Sequence, residues 1–295
     1  MSASMRFPNE IGMAVMARVD PSPLRWLIGV ELMRYRHEAG YTLVEAGDHS
    51  GISRAKLNHM ENGRQQQDPA DIAKLLKVYG TERHDIDRLT SLTGRADEAG
   101  WWAPWAQVVP DWMRTIVGLE GLAVREFVFE PIILPGLLQT EDYARAVTAD
   151  TPRVRPDHGE RFVGFRMARA ARLTDAERPL KLHAVITEGA LRLAVGTPEL
   201  RCAQFEHLVA MAGLPNVTIQ VVRPDDGLHD AITGQFAVLD FENVRSIGYV
   251  EMHDGSVYVQ DPEQVETYNL VAKNVQRVAL GPEPSVALIK SLITK

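Results

Sequence analysis

Among 295 residues there is a single cysteine, Cys202. One thiol cannot close an internal disulfide, and no Cys/His spacing around it suits a metal. It reads as a small buried apolar side chain, which fits a reducing cytoplasm. No apolar run approaches the ~20 residues of a membrane span. The longest near the start, residues 11–17, is short and follows Glu10, a poor signal peptide. Basic charge is also lacking: the net charge is −7. That excludes a surface coated in phosphate-binding residues and confines any nucleic-acid face to a local patch. Aromatic residues make up only 7%, yet four of the five tryptophans fall in one stretch, "WWAPWAQVVPDW", from Trp101 to Trp112. Catalytic signatures are missing too: there is no P-loop, no Rossmann glycine pattern, no HExxH and no GxSxG.

What is present begins with a helical module. Residues 1–24 read as a flexible arm ending in "DPSP", which breaks regular structure. Leu24, Leu27, Ile28, Leu32 and Tyr35 then recur at helical spacing until Gly40 stops them. Thr42 with Glu45 has the pattern of a capping box, so a second helix starts there. "SGIS" is a tight turn in which Gly51 can take positive φ. Ser53 caps a third helix, residues 54–61, and Gly63 follows its end. Two more helical segments, 68–80 and 81–94, both end in glycine. Five short helices over residues 25–95 make a small all-α domain, with a helix-turn-helix at its centre.

The stretch "LIGVELMRYRHEAGYTLVEAGDHSGISRAKLNHMENGR" resembles the Xre, or phage-repressor-like, family of DNA-binding domains, because the "GIS" turn, Leu57, Met60 and "ENGR" fall in register. The resemblance implies that the third helix enters the major groove of double-stranded DNA. Arg54, Ala55, Asn58 and His59 match base-facing positions. Thr42, Lys56, Arg64 and Gln65 match phosphate-facing ones. Arg36 and Glu61 match a structural salt bridge. Arg54 has the fork to bind guanine bidentately. Two departures stand out: Leu43 replaces a polar residue common in that family, and "QQQDP" replaces a more basic loop. Between residues 20 and 80 there are eight basic and eight acidic residues, so one copy should bind DNA weakly. A homodimer on a palindromic operator would compensate.

Residues 100–295 have a different pattern. Helical segments at 111–124, 140–147, 157–173, 197–212, 262–279 and after Pro284 alternate with strand candidates at 125–131, 180–187, 217–222, 234–241, 246–252 and 256–261. Short turns between the last three strands favour an antiparallel meander. The expected fold is α+β with a mainly antiparallel sheet. "EPIILPGLLQTEDYARAV", "LPNVTIQVV" and "VYVQDPEQVETYNLVAKNV" resemble the C-terminal domain of unknown function of actinobacterial Xre-type, antitoxin-like regulators. That resemblance implies a regulator, often encoded beside a small partner protein, and names no ligand.

Two readings of the tryptophan cluster remain. Trp101, Trp102, Trp105 and Trp112 either seat the first helix of the second domain or form an aromatic wall for a ligand or partner. "HDG" at 253–255 reads as a hairpin turn. "GLHDAITGQF" reads as a connection, with His229 at the mouth of a pocket if one exists. The expectation is a cytoplasmic, sequence-specific transcriptional regulator, dimeric, not an enzyme, with no metal, cofactor or membrane. Its C-terminal domain would sense a small ligand or a small partner protein. Two alternatives are an interaction module that has lost DNA binding and, further off, an enzyme in the C-terminal domain.

Overall fold

The computed structural model describes residues 22–93, 102–105, 107–149, 151, 154–253 and 255–293. Five helices come first: α1 (Pro23–Glu38), α2 (Leu43–Ser50), α3 (Arg54–Glu61), α4 (Pro69–Val78) and α5 (Arg83–Ser91). Most of the arm expected at residues 1–24 lies outside the described residues. Pro23 and Leu24 already belong to α1, with proline in the first turn, where its missing N–H costs nothing. The boundaries have local causes. Thr42 Oγ1 accepts from the Glu45 N–H at 3.2 Å, and Glu45 accepts from the Thr42 N–H at 2.8 Å, closing a capping box on α2. Gly51 ends α2 at φ 65°, a backbone conformation other residues adopt only at a cost. Ser53 Oγ then caps α3 at 3.3 Å.

The second half begins with α6 (Asp111–Leu122) and β1 (Arg125–Glu130), followed by α7 (Glu141–Ala149) and α8 (Gly159–Ala170). Next come β2 (Lys181–Thr187), α9 (Glu188–Arg192), α10 (Pro198–Met211), β3 (Val217–Val222) and β4 (Phe236–Asp240). β5 (Ile247–Met252), β6 (Gly255–Val259), α11 (Pro262–Val278) and α12 (Pro282–Ile293) complete it. The six strands run in the order β3-β2-β1-β4-β5-β6. β1 pairs in parallel with β2, and β2 with β3; the other three pairings are antiparallel. The chain is therefore an all-α module followed by an α+β domain with a mainly antiparallel sheet. Two details differ from the sequence reading. α9 is a single turn not foreseen, capped by Thr187. The closing helix starts at Pro282 and carries Pro284 in its first turn, where no intrahelical N–H is needed.

Strand alternation divides the sheet into two buried faces. Val128, Ala184, Ile219 and Leu239 pack beneath helices that include α6, α8 and α10. Phe127, Phe129, Val185 and Val238 pack beneath α11. The two halves of the chain meet at α1, which is apolar on more than one side. Ile28 and Leu32 enter the core of the helical module with Leu57, Met60 and Leu76. Leu27 and Val30 enter the core of the second domain with Met113, Ile116 and Val117 of α6. A helix apolar all round is one buried all round. Both contacts are close. A Cβ on Gly29 would lie 2.3 Å from the Glu61 carbonyl oxygen of α3, and one on Gly118 would lie 1.8 Å from the Pro23 ring.

One helix serving two cores should make them melt together. Leu27→Ala and Leu32→Ala, although they sit in different cores, should each cost about 2–5 kcal/mol and lower a single shared transition in calorimetry. Two resolved transitions, only one of them moved by each variant, would show that α1 does not couple the halves.

Candidate nucleic-acid interface

α2, the Gly51 turn and α3 form a helix-turn-helix, and α3 presents one face to solvent. Leu57, Met60 and Glu61 point inward, while Arg54, Ala55, Lys56 and His59 are exposed and Asn58 is half-exposed. Thr42 and Arg64 are exposed and Gln65 is half-exposed beside them. The eight residues singled out for DNA contact thus all reach the surface. Three of them already have side-chain partners, Thr42 through its cap on Glu45. Lys56 Nζ lies 2.5 Å from Asp71 of α4. Asn62 Nδ2 donates to Asn58 Oδ1 at 3.2 Å. A phosphate contact by Lys56 would have to displace Asp71.

The face is braced from behind. Arg36 of α1 donates from Nε to Glu61 Oε1 at 2.7 Å and from Nη2 to Glu61 Oε2 at 2.8 Å, a two-pronged pair. Its third arm, Nη1, donates to the Tyr41 carbonyl at 3.0 Å. Arg36 and Glu61 are both buried. The hydrogen bond that Arg36 donates to Glu61 pushes the Arg36 pKa up, so the guanidinium stays charged. The pair joins α1 to the last turn of α3, close to where Gly29 lets the two backbones approach.

Two tryptophans of the cluster have a describable environment. Trp102 and Trp105, on a short turn before α6, are half-buried and pack against the large core. The Trp105 ring centroid lies 6.3 Å from that of Phe165 on α8. The Trp102 indole N–H is enclosed without a partner. Trp101 and the Trp112 side chain lie outside the described residues. The fifth tryptophan, Trp26 of α1, sits 5.3 Å from the Tyr258 ring of β6 and adds to the junction. Arg88 of α5 donates to the Asn243 carbonyl in the β4–β5 turn, and Glu38 of α1 lies 3.8 Å from Arg245. His229 packs edge-on against Phe129 at 5.4 Å, and its backbone neighbour Asp230 is tied to Asn274 of α11. His253 is exposed in the β5–β6 turn. Among the described residues no cluster of His, Cys, Asp or Glu is suited to a metal ion.

A row of buried charge in the second domain was not anticipated. Glu126 and Glu130 alternate with Val128 along β1, so they point beneath the helices instead of outward. Above them Arg169 of α8 grips Glu120 of α6 with two bonds of 3.2 and 2.6 Å, and Arg166 donates to Gln139 at 2.9 Å. One oxygen each of Glu126 and Glu130 is enclosed without a hydrogen bond. Burial, with Glu120 nearby, pushes Glu126 up to about 8. Burial, with Glu251 nearby, does the same to Glu130. The signal was present in "REFVFE", a strand with glutamates on its inward parity. Recognising it required knowing that α8 would lay two arginines over it.

Residues 113–291 match the family model for the domain of unknown function DUF5753, more than half of the chain. The chain belongs to the DUF5753 family. Residues 27–89 match a helix-turn-helix domain, which supports a DNA-binding regulator. No curated protein and no solved structure matches. The helix-turn-helix match takes in the last twelve of the sixteen residues of α1, the same helix whose Leu27 and Val30 lie in the DUF5753 core. Among the described residues no helix is long and apolar enough to cross a membrane.

Two outcomes follow from this geometry. Arg36→Ala and Glu61→Ala should each destabilise by about 3–5 kcal/mol, because either leaves a buried charge alone. The double variant should cost much less than the sum in chemical denaturation, and additive losses would show that the pair is not coupled. In the DUF5753 domain, the folded pKa values of Glu126 and Glu130 lie above the ordinary carboxylate value of ~4.3. The folded state then holds protons that the unfolded chain releases. Their contribution is complete below ~4.3 and is lost as pH rises through about 8. Stability should therefore fall between pH ~5 and ~8, and Glu126→Gln should flatten that fall in melts across the range.

Proposed function

We propose that this protein is a sequence-specific transcriptional regulator of the phage-repressor-like Xre type, working as a homodimer on a two-fold symmetric operator. The observation that carries the reading is the outward face of α3. Arg54, Ala55, Asn58 and His59 are held out on a capped helix whose inner side is locked by the Arg36–Glu61 pair. In that reading Arg54 and His59 reach base edges in the major groove, and Thr42, Lys56, Arg64 and Gln65 meet phosphates. Balanced charge in the helical module makes one copy a weak binder, so two copies, with half-sites ~34 Å or a multiple apart, supply the affinity. The DUF5753 domain then receives the signal, as a small ligand or as a small partner protein in the antitoxin-like manner. A second reading, an interaction module without DNA binding, draws on the same charge balance and on the capture of Lys56 by Asp71.

Mobility-shift titrations with DNA from the protein's own promoter region separate the two. Arg54→Ala should weaken binding by about 1–3 kcal/mol and relax preference at one base position. Wild-type affinity and preference in that variant would remove α3 from the groove. No binding by the unaltered chain would leave the interaction module.

A further inference from the structure

An open cleft of about 400 Å³ lies where the helical module meets the DUF5753 domain. Both halves build it. Leu24 and Leu27 of α1 and Leu92 just past α5 form one wall; Leu122, Phe241 and Val244 form the other. Three cations stand at its edge: Arg172, Arg178 and Lys181. Arg178 shares Glu242 at 3.5 Å. Arg172 donates to two carbonyls, those of Ala123 at 3.0 Å and Arg178 at 3.4 Å, and its Nε is enclosed with no acceptor. Arg172 has Asp175 near enough to feel its charge, and among the described residues no ion pair holds Lys181. Cations at the rim of an apolar cleft, one of them with a guanidinium nitrogen that has no acceptor, are half of a recognition site for an apolar anion. Clefts between domains, mostly apolar with a few converging polar groups, are where small molecules lodge, and ~400 Å³ lies within their usual size.

We propose that this cleft binds an apolar organic carboxylate. The hydrocarbon body lies against Leu27, Leu92 and Phe241, and the carboxylate meets Arg172 and Lys181. This rests on the reading that the DUF5753 domain receives a signal, and it names the chemical class of that signal. An occupant touches α1 on one side and the β4–β5 turn on the other. That turn is already tied to α5 through Arg88 and Asn243 and to α1 through Arg245 and Glu38. Occupancy therefore bears on the seat of the helical module, and it changes DNA affinity to the extent that the ligand prefers one seating over another.

The test is calorimetric titration of the 295-residue chain with decanoate, and with decanol and decylamine as equal-length controls. Decanoate should bind once per chain, and decylamine should not bind. Lys181→Gln, at an exposed position, should weaken decanoate by roughly tenfold or more while leaving the melting temperature unchanged. Val244→Trp, which fills the cleft, should abolish binding. The site assignment is overturned if decanoate gives no saturable heat, if decanol binds as well as decanoate, or if neither variant alters the titration. Operator affinity measured with and without decanoate is a separate arm. Binding that leaves operator affinity unchanged overturns the coupling through α1. Failure to bind any operator, with decanoate binding intact, counts against the DNA reading and leaves the cleft assignment standing.

Discussion

The double burial of α1 is the constraint on which the architecture rests. Its sixteen residues supply Ile28 and Leu32 to one core and Leu27 and Val30 to the other. The same helix carries Arg36 to the base of α3, and its Gly29 sets how closely the two backbones approach. A shift of α1 against the sheet domain cannot leave α3 where it was. Packed interiors do not deform smoothly, so such a helix has few alternative positions, each well defined. The helix-turn-helix of this family member is therefore not a bead on a string.

Local signals made the helical module legible. The capping box at Thr42 and Glu45, the Gly51 turn, the Ser53 cap and the closing Gly63 each act within a few residues, so the chain announces them directly. The strands were also legible, since the alternation in 125–131 and the short strand-forming runs at 180–187 and 217–222 are properties of each segment alone. What could not be read was pairing. Nothing within β1 says that it lies parallel to β2 and antiparallel to β4. The helix α9 is too short to show a period. The apolar ring around α1 was visible in Trp26, Leu27, Ile28, Val30 and Leu32, but a helical stripe drawn through Leu24, Ile28 and Leu32 hides the second face.

The candidate sites divide in the same way. The residues singled out for DNA contact are each exposed or half-exposed, and on α3 helical spacing alone separates them from the buried Leu57 and Met60. The buried charges could not be found so. Glu126, Glu120 and Arg169 stand on a strand and two helices, and their approach is a product of tertiary packing. The tryptophan cluster lies between these cases. Its composition marked a place, and the packing of Trp102 and Trp105 against the large core gives that place a seating role.

The position of β1 also bears on how the protein is made. β1 is central in the sheet, and its antiparallel neighbour β4 is tied to it by Arg125 and Asp240, 115 residues apart. On the ribosome the helical module and β1 emerge long before β4 exists. During that interval Leu27 and Val30 have no finished core to enter, and one edge of β1 has no partner. Long-range pairing of this kind slows folding and leaves sticky surface exposed meanwhile. The nascent chain thus has a vulnerable window that closes only when the meander of β4, β5 and β6 has been synthesised.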